Sequence, residues 1–245
     1  MSESSPVYVI QGKEVTLPVI VRAASSGVAT YWVDAAAARR LLPGPELDVV
    51  ELWPGRTLLS IAVIDYKDND LGDYNEVSIT LFVRERAAAT GIPYLGALLD
   101  YLRGRVSTYI LHLPVNQSFT CEAGRTIWGF PKTVEEIDLS YEPNRVRCKL
   151  VADGQHVLTL SLPRGGSRNL SDSQLATYSY IEGAPHKTCF TQRAEGVGFK
   201  LGGAELELGE HAMATELRSM GLPKRAIMTI WMEKMQGRFG AAEKL

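Results

Sequence analysis

The chain has 245 residues, of which 45% are hydrophobic and 22% are charged, and its formal net charge is -2. This composition is ordinary for a globular protein with a sizeable core, and the absence of a Lys/Arg cluster argues against a nucleic-acid partner, which requires a concentrated basic surface. No apolar run reaches the length of a membrane span, so we expect no membrane partner either.

Short extended runs dominate the chain from its beginning. Runs rich in Val, Ile, Leu and Thr, most of them bounded by Gly, Pro, Asn or Asp, predict strands. They cover residues 16–22, 57–65, 76–84, 107–115, 145–151 and 156–162. The Asp153-Gly154 pair predicts a hairpin turn between the last two, and residues 66–74 predict another hairpin turn.

Few helices are expected. Asp34 can cap a short helix over residues 35–42, which Pro43 and Gly44 would end. Pro223 can open a C-terminal helix that runs to about Gly237, because Ile227, Ile230, Trp231 and Met235 are spaced by three and four residues. That apolar face would pack on the core or on another subunit.

Strands that recur without regular alternation with helices predict an α+β fold that is predominantly antiparallel β, a sheet or barrel with peripheral helices. We expect one domain over residues 1–245, with residues 1–15 as an extended N-terminal arm. The three cysteines, Cys121, Cys148 and Cys189, are widely spaced and odd in number, which predicts neither a disulfide framework nor a zinc site and favours a reducing cytoplasm.

The segment of most chemical interest is residues 124–132, Gly-Arg-Thr-Ile-Trp-Gly-Phe-Pro-Lys. Its single lysine, Lys132, follows a Gly-aromatic-Pro turn in a mostly apolar setting, with Trp128 and Phe130 close by in sequence. Burial there would disfavour the ammonium form and yield a nucleophilic amine, although a pKa of about 6–7 requires roughly 5 kcal/mol of destabilisation relative to water. On pattern alone, an ordinary surface lysine after a turn is the commoner outcome.

A neutral amine at Lys132 could form a Schiff base with a ketone substrate, and the iminium would act as an electron sink. Loss of a β-carboxylate as carbon dioxide, aldol chemistry and dehydration all use the same intermediate. The lysine by itself does not select among them. No metal or organic cofactor is called for, and we expect none.

Four short motifs, in order along residues 16–235, resemble the acetoacetate decarboxylase family. They are Gly-Arg…aromatic-Pro-Lys at residues 124–132, Tyr-Trp-Val-Asp at 31–34 with Leu-Leu-Pro at 41–43, Leu-Gly-Asp-Tyr-Asn-Glu at 71–76, and His-Ala-Met-Ala at 211–214 with Leu-Pro-Lys at 222–224. The resemblance implies a β-cone or barrel, assembled as a homo-oligomer, that acts on a small keto acid.

The resemblance also implies site residues. Lys132 would form the Schiff base, and Glu76 would lie near it, where a carboxylate could steer the substrate or handle a proton. An arginine on an early strand would bind the substrate carboxylate, and Arg22 is the best match, with Lys13 as the alternative. Members of the family commonly carry a second lysine after the first, but Thr133 stands there in this chain, which leaves the reaction type open.

Three neighbours of Lys132 are further candidates for substrate binding. Arg125 could bind a carboxylate through two hydrogen bonds or could fix the turn by bonding to backbone carbonyls. Trp128 and Phe130 could form the wall of a pocket or simply fill the core. Three functions therefore stay open: a β-keto acid decarboxylase, a Schiff-base aldolase or dehydratase acting on an α-keto acid such as pyruvate, and a non-catalytic binding protein.

Overall fold

In a computed structural model of the chain, which describes residues 6–88, 94 and 106–245, strands predominate. The strands are β1 Val7–Ile10, β2 Lys13–Thr16, β3 Val19–Asp34, β4 Leu47–Val49, β5 Arg56–Asn69, β6 Tyr74–Glu85, β7 Ser107–Val115, β8 Lys132–Val134, β9 Glu136–Tyr141, β10 Arg145–Ala152, β11 Gln155–Pro163, β12 Arg168–Ile181, β13 Ala184–Leu201, β14 Glu205–Leu208 and β15 Met228–Lys244. All six predicted strand segments fall largely within these elements. Both predicted hairpin turns are also present, between β5 and β6 and between β10 and β11.

The described α-helices are α1 Ala35–Arg39, α2 Ser118–Trp128 and α3 Ala212–Ser219, and Arg86–Ala88 form one turn of 3₁₀ helix. Helix α1 begins as predicted, because the Asp34 side chain accepts a hydrogen bond from the Ala37 N–H at 2.7 Å, but it ends three residues before the predicted end at Leu42. None of these helices is long and apolar enough to cross a membrane.

Seven strands close into a barrel, in the order β6, β5, β3, β15, β13, β12, β7 and back to β6. Neighbours in the ring are antiparallel except β7 and β12, which are parallel. Strand β8 extends the sheet by pairing in parallel with β7. The predicted α+β fold, mostly antiparallel and barrel-like with peripheral helices, is confirmed.

A second sheet, in the order β14, β11, β10 and β9, packs against the outside of the barrel. The main hydrophobic core lies between the two. On β6 the outward side chains Val77, Ile79 and Leu81 are completely buried and share this core with Leu160 of β11. Alternate residues of a strand face opposite sides of the sheet, so the remaining residues of β6 point into the barrel.

The N-terminal hairpin of β1 and β2 packs together with helix α2 against the barrel strands. Ile10 and Val15 of the hairpin are buried in one cluster with Ile127 and Trp128 of α2. Residues 7–15 of the segment expected to be an extended arm therefore belong to a packed hairpin. Ile10 and Val15 are the buried side chains of this hairpin, and their packing beside α2 holds it against the barrel.

The predicted C-terminal helix is wrong, because residues 228–244 form the long strand β15. Its two faces are both apolar: Trp231 packs in the core outside the barrel, whereas Met232 and Met235 belong to the inner cluster. The pairing register with β3 shifts between Met232 and Met235. A strand that is buried on both sides and interrupted by a bulge imitates the three-and-four spacing of a helix.

Candidate active site

Helix α2 and the turn after it deliver Lys132 to the barrel. Gly129 ends the helix in the left-handed conformation, with φ of 62°, and its N–H donates to the Arg125 carbonyl at 3.1 Å. Glycine adopts this conformation without steric cost and is the usual residue at a helix C-terminus. The chain then turns through Pro131, and Lys132 begins β8 opposite Leu113 of β7.

Lys132 and Glu76 form a buried ion pair. The Lys132 Nζ lies 2.8 Å from the Glu76 Oε2, and the two side chains are only 3% and 8% exposed. They are held on either side of β7, where Leu113 pairs with Lys132 and Val115 pairs with Glu76. The proximity that the family resemblance implied is therefore present, and the roles of the two residues remain predictions.

Three further polar side chains surround the pair. The Lys132 Nζ donates a hydrogen bond to the Thr120 Oγ1 at 3.3 Å and lies 5.0 Å from the centre of the Tyr74 ring. The Tyr66 hydroxyl donates to the Glu76 Oε1 at 3.5 Å, and the rings of Tyr66 and Tyr74 stack with centroids 4.5 Å apart. Burial, followed by the charge of Glu76, raises the pKa of Tyr66 well above its ordinary value, so this hydroxyl stays protonated at neutral pH and donates a hydrogen bond.

The resting charge of Lys132 differs from the sequence expectation. Burial disfavours the ammonium form, as expected, but the attraction of Glu76 and then of Tyr74 outweighs this effect and raises the pKa of Lys132. The expectation of a lysine that is neutral at rest is therefore wrong, although the expectation that it is dry is correct. The amine becomes a nucleophile only when its proton moves, and the nearest acceptor is the Glu76 carboxylate.

Close packing against Lys132 explains why the lysine motif begins with a glycine, Gly124. A Cβ atom at this position of α2 would lie 2.5 Å from the Lys132 Cδ and 2.7 Å from its Cε. The aliphatic part of the lysine therefore packs directly on the backbone of the helix. The backbone conformation of Gly124 is ordinary for a helix, so glycine is required here for the close approach and not for an unusual φ.

The pair faces an interior cavity of about 370 Å³ inside the barrel. Trp128 and Phe130 both line it, stacked with their ring centroids 5.5 Å apart, and the Trp128 Nε1–H donates to the Gly240 carbonyl at 2.7 Å. Among the described residues, Lys132 and Glu76 are the only charged ones in its lining. The rest of the wall is mostly apolar.

The two predicted arginines do not line this cavity. Arg22 lies on the outer face of β3, about half exposed, where it pairs with Asp68 at 2.8 Å and Asp70 at 2.6 Å. Its neighbour Val21 takes the inward position, since side chains alternate along the strand. Arg125 is exposed on the outside of α2. Neither lies in the described lining of this cavity, so this structure gives no support to a role for them in substrate binding, which stays a prediction.

Thr133 also lies outside the cavity. It follows Lys132 on β8, and its side chain is exposed. Alternation along the strand means that a side chain at this position turns away from the interior when Lys132 turns inward. The identity of this residue therefore leaves the charge inside the cavity unchanged.

Sequence reasoning assigned no role to Tyr66, Tyr74 or Thr120. Tyr74 stands two residues before Glu76 within the Leu-Gly-Asp-Tyr-Asn-Glu segment, and a period of two would have placed both on one face of a strand. Thr120 lies on a helix that the sequence did not predict. No group of three or more His, Cys, Asp or Glu side chains in residues 6–88 and 106–245 is arranged to hold a metal ion.

Fold and site together define a barrel protein with a buried lysine–carboxylate pair at an apolar interior cavity. The family model of acetoacetate decarboxylase matches residues 6–236, and the chain belongs to this family. No curated protein matches the sequence.

Several solved structures share this fold. Acetoacetate decarboxylase from Legionella pneumophila is 15% identical with a TM-score of 0.66, and the match covers 99% of this chain and 89% of that one. The enduracididine biosynthesis enzyme MppR, complexed with pyruvate, is 17% identical with a TM-score of 0.61 over 93% and 90% of the two chains. An acetoacetate decarboxylase-like enzyme from Sphingomonas wittichii RW1 is 15% identical with a TM-score of 0.58 over 96% of each chain.

Proposed function

We propose that this protein is a Schiff-base lyase that decarboxylates a β-keto acid through an iminium on Lys132. The observation that carries the proposal is the 2.8 Å contact between the buried Lys132 Nζ and Glu76 Oε2 at the wall of an apolar cavity. A buried lysine is costly for a protein to maintain, and one that faces a cavity beside a proton acceptor can be deprotonated on demand.

The reaction begins when the Lys132 ammonium passes a proton to Glu76 and its nitrogen attacks the ketone carbon. A carbon–nitrogen bond forms, and the former carbonyl oxygen takes up one proton from the lysine nitrogen and a second from Glu76 before it leaves as water. The product is a protonated iminium beside a Glu76 carboxylate. These transfers use distances within hydrogen-bond reach, as general acid–base catalysis requires.

The carbon–carbon bond to the carboxylate then breaks. Carbon dioxide leaves, and the bonding electron pair moves toward the iminium to give a neutral enamine. Protonation of the enamine carbon and addition of water release the ketone product and restore the amine of Lys132. Tyr66 and Tyr74 are close to the pair, and one of them is the proposed donor of this proton, which solvent returns to it once in each turnover.

The charge of the cavity favours decarboxylation over chemistry on an α-keto acid. A β-carboxylate that is held in an apolar site near the anionic Glu76 is destabilised, and its loss as neutral carbon dioxide relieves that repulsion. A pyruvate-type substrate keeps its carboxylate through the whole reaction and needs a cation to bind it. Apart from Lys132 itself, the described lining offers no such cation.

Borohydride trapping tests the proposal. After incubation with acetoacetate and reduction, we expect the intact mass to increase by one isopropyl group, located on Lys132 by peptide mapping and accompanied by release of carbon dioxide. Lys132→Ala should abolish the adduct, whereas the exposed Lys149→Ala should retain it. The variant with both Lys132→Met and Glu76→Gln leaves no unpaired buried charge and replaces Lys132→Ala if the latter does not fold.

The alternatives give different outcomes in the same experiment. An adduct with pyruvate and not with acetoacetate, without carbon dioxide release, would support an aldolase or dehydratase, and the fold is shared with MppR, whose structure contains pyruvate. No adduct with any keto acid would support a binding protein. The homo-oligomeric state and the cytoplasmic location stay predictions, which gel filtration with light scattering and cell fractionation can check.

A further inference from the structure

The inner face of β6 lines the cavity along most of the strand. Tyr74, Glu76, Ser78, Thr80 and Phe82 are successive inward residues, and all five contribute to the wall. From Glu76 to Phe82 the strand advances six residues, or about 20 Å at roughly 3.3 Å per residue. The cavity therefore extends well beyond the space around the lysine.

The middle of this passage is kept open by small side chains. Ser78 and Thr80 on β6 face the interior beside Ala62 and Ser60, their partners on β5, and Ser78, Thr80 and Ala62 are only half-buried. Their outward neighbours on the same strand are completely buried. The middle of the barrel interior is thus an open space lined by small side chains, with larger apolar side chains around it.

The walls are suited to an uncharged occupant. Between Ser78 and Phe82 no described lining residue carries a charge. The Thr108 hydroxyl donates to the Thr177 Oγ1 at 3.1 Å, and the Thr177 hydroxyl donates to the Thr108 carbonyl at 3.1 Å, so both hydroxyls already have partners. The Ser60 and Thr30 hydroxyls likewise lie 3.1 Å apart. A charged chain would find no described partner of opposite charge along this passage, where the wall offers only isolated hydroxyls such as those of Ser78 and Thr80.

We propose that the natural substrate is a β-keto acid with an extended, uncharged hydrocarbon tail, which lies along β6 from Glu76 toward Phe82 while the ketone reaches Lys132. This inference rests on the proposed function and adds the substrate class to it. Acetoacetate carries only a methyl group in place of the tail and would leave most of the cavity empty of ligand. Cavities of about 300–1,000 Å³ hold ligands of much larger size.

A homologous series of substrates tests the proposal on the unmodified protein. We would measure kcat/KM for carbon dioxide release from acetoacetate and from β-keto acids with propyl, pentyl and heptyl tails. Each methylene group that leaves water for the apolar passage should raise kcat/KM about three- to four-fold, so the longer acids should exceed acetoacetate by well over ten-fold. A flat or falling series would overturn the proposal.

A variant that blocks the passage checks its location. Thr80 stands four residues beyond Glu76, about 13 Å along the strand, so a bulky side chain there leaves room for acetoacetate. Thr80→Phe should lower kcat/KM for the heptyl substrate by at least ten-fold and that for acetoacetate by less than three-fold. The same change at an exposed threonine of α3, Thr215→Phe, should leave both unchanged. Thr80→Leu is a smaller block for use if Thr80→Phe fails to fold, with circular dichroism to verify folding.

The outcomes distinguish a failure of this proposal from a failure of the proposed function on which it rests. If no β-keto acid of any length is decarboxylated or trapped, the proposed function fails. If acetoacetate reacts and longer tails bring no gain, the function stands and the substrate class is wrong. If longer tails react faster and Thr80→Phe does not discriminate between them, the tail binds elsewhere and the assignment to β6 is wrong.

Discussion

Lys132 and Glu76 neutralise each other at a place that water barely reaches. Each charge would be costly there alone, and together they set the resting protonation of the site. The pair keeps the amine protonated until a substrate enters, which protects a reactive group that would otherwise meet any electrophile. The same arrangement makes Glu76 the natural acceptor of the lysine proton.

Glu76→Gln should therefore make Lys132 easier to deprotonate. The carboxylate that raises the pKa of Lys132 is removed while burial, which lowers it, remains. We expect the pH midpoint for formation of the coloured enaminone with acetylacetone to shift downward by at least about one unit, since one pKa unit corresponds to roughly 1.4 kcal/mol and a buried charge pair is worth more.

The matched control is Glu136→Gln, an exposed glutamate on β9, which should leave the midpoint in place. The same Glu76→Gln variant should turn over β-keto acids more slowly, because it lacks the proton acceptor. An unchanged or higher midpoint would mean that Glu76 does not hold the lysine proton.

The sequence predicted the two central residues of the site and missed much of what surrounds them. Lys132 and Glu76 belong to contiguous motifs and were found by resemblance. Arg22, predicted to bind the substrate, faces away from this cavity, because a difference of one residue along a strand turns a side chain from the inside of a barrel to the outside. The protonation of Lys132 depends on a contact between residues 56 positions apart in the chain, which no local pattern encodes.

At the scale of single elements, helix α2 is stabilised by tertiary packing and not by the helix propensity of its residues. It contains Gly124 and several residues of low helix propensity, and the Gln117 side chain at its N-terminus makes no capping hydrogen bond. Its buried side chains, among them Cys121, Ile127 and Trp128, anchor it to the barrel. Local propensity was therefore a poor guide here, and no helix was predicted in this region.

Gly124→Ala should have opposite effects on the helix propensity of α2 and on the position of Lys132. Alanine favours a helix interior by up to about 1 kcal/mol over glycine, but its Cβ would displace the side chain of Lys132. We expect the rate of borohydride trapping with acetoacetate to fall about a hundred-fold, as a displacement of about 1 Å can cause. Circular dichroism should show an unchanged fold.

Thr126→Ala is the control on the same helix, because Thr126 is exposed and alanine raises the helix propensity there too. It should trap at the rate of the unmodified protein. If Gly124→Ala also traps normally, the lysine does not depend on its close packing against α2, and this account of the motif glycine is wrong.

On the scale of the whole molecule, stability and function occupy opposite faces of the same strands. The apolar residues of β5 and β6 that sequence patterns assign to a core do form one, but it lies outside the barrel against the second sheet. The small residues between them line the cavity. Alternation predicts that the two sets face apart, yet nothing local indicates which face is enclosed by the barrel, and the closing contact joins β6 to β7.

Because the packed core and the cavity lie on opposite faces of the strands, the same Leu→Ala substitution should lower the free energy of unfolding by different amounts at the two places. Leu160→Ala removes a completely buried side chain from the core between the sheets and should lower the free energy of unfolding by about 2–5 kcal/mol, measured by urea denaturation. Leu175→Ala removes a half-buried side chain that lines the cavity, where space already exists, and should cost about 1 kcal/mol.

The effects on activity should run the other way. Leu160→Ala should leave kcat/KM for acetoacetate unchanged at temperatures where the variant is folded, whereas Leu175→Ala enlarges the cavity and should alter the preference among tail lengths. Equal losses of stability from the two variants would contradict this separation of core and cavity, because they would mean that the barrel interior is itself a packed hydrophobic core. The side chains that line the cavity would then pack together in solution, and a substrate tail could enter only by displacing them.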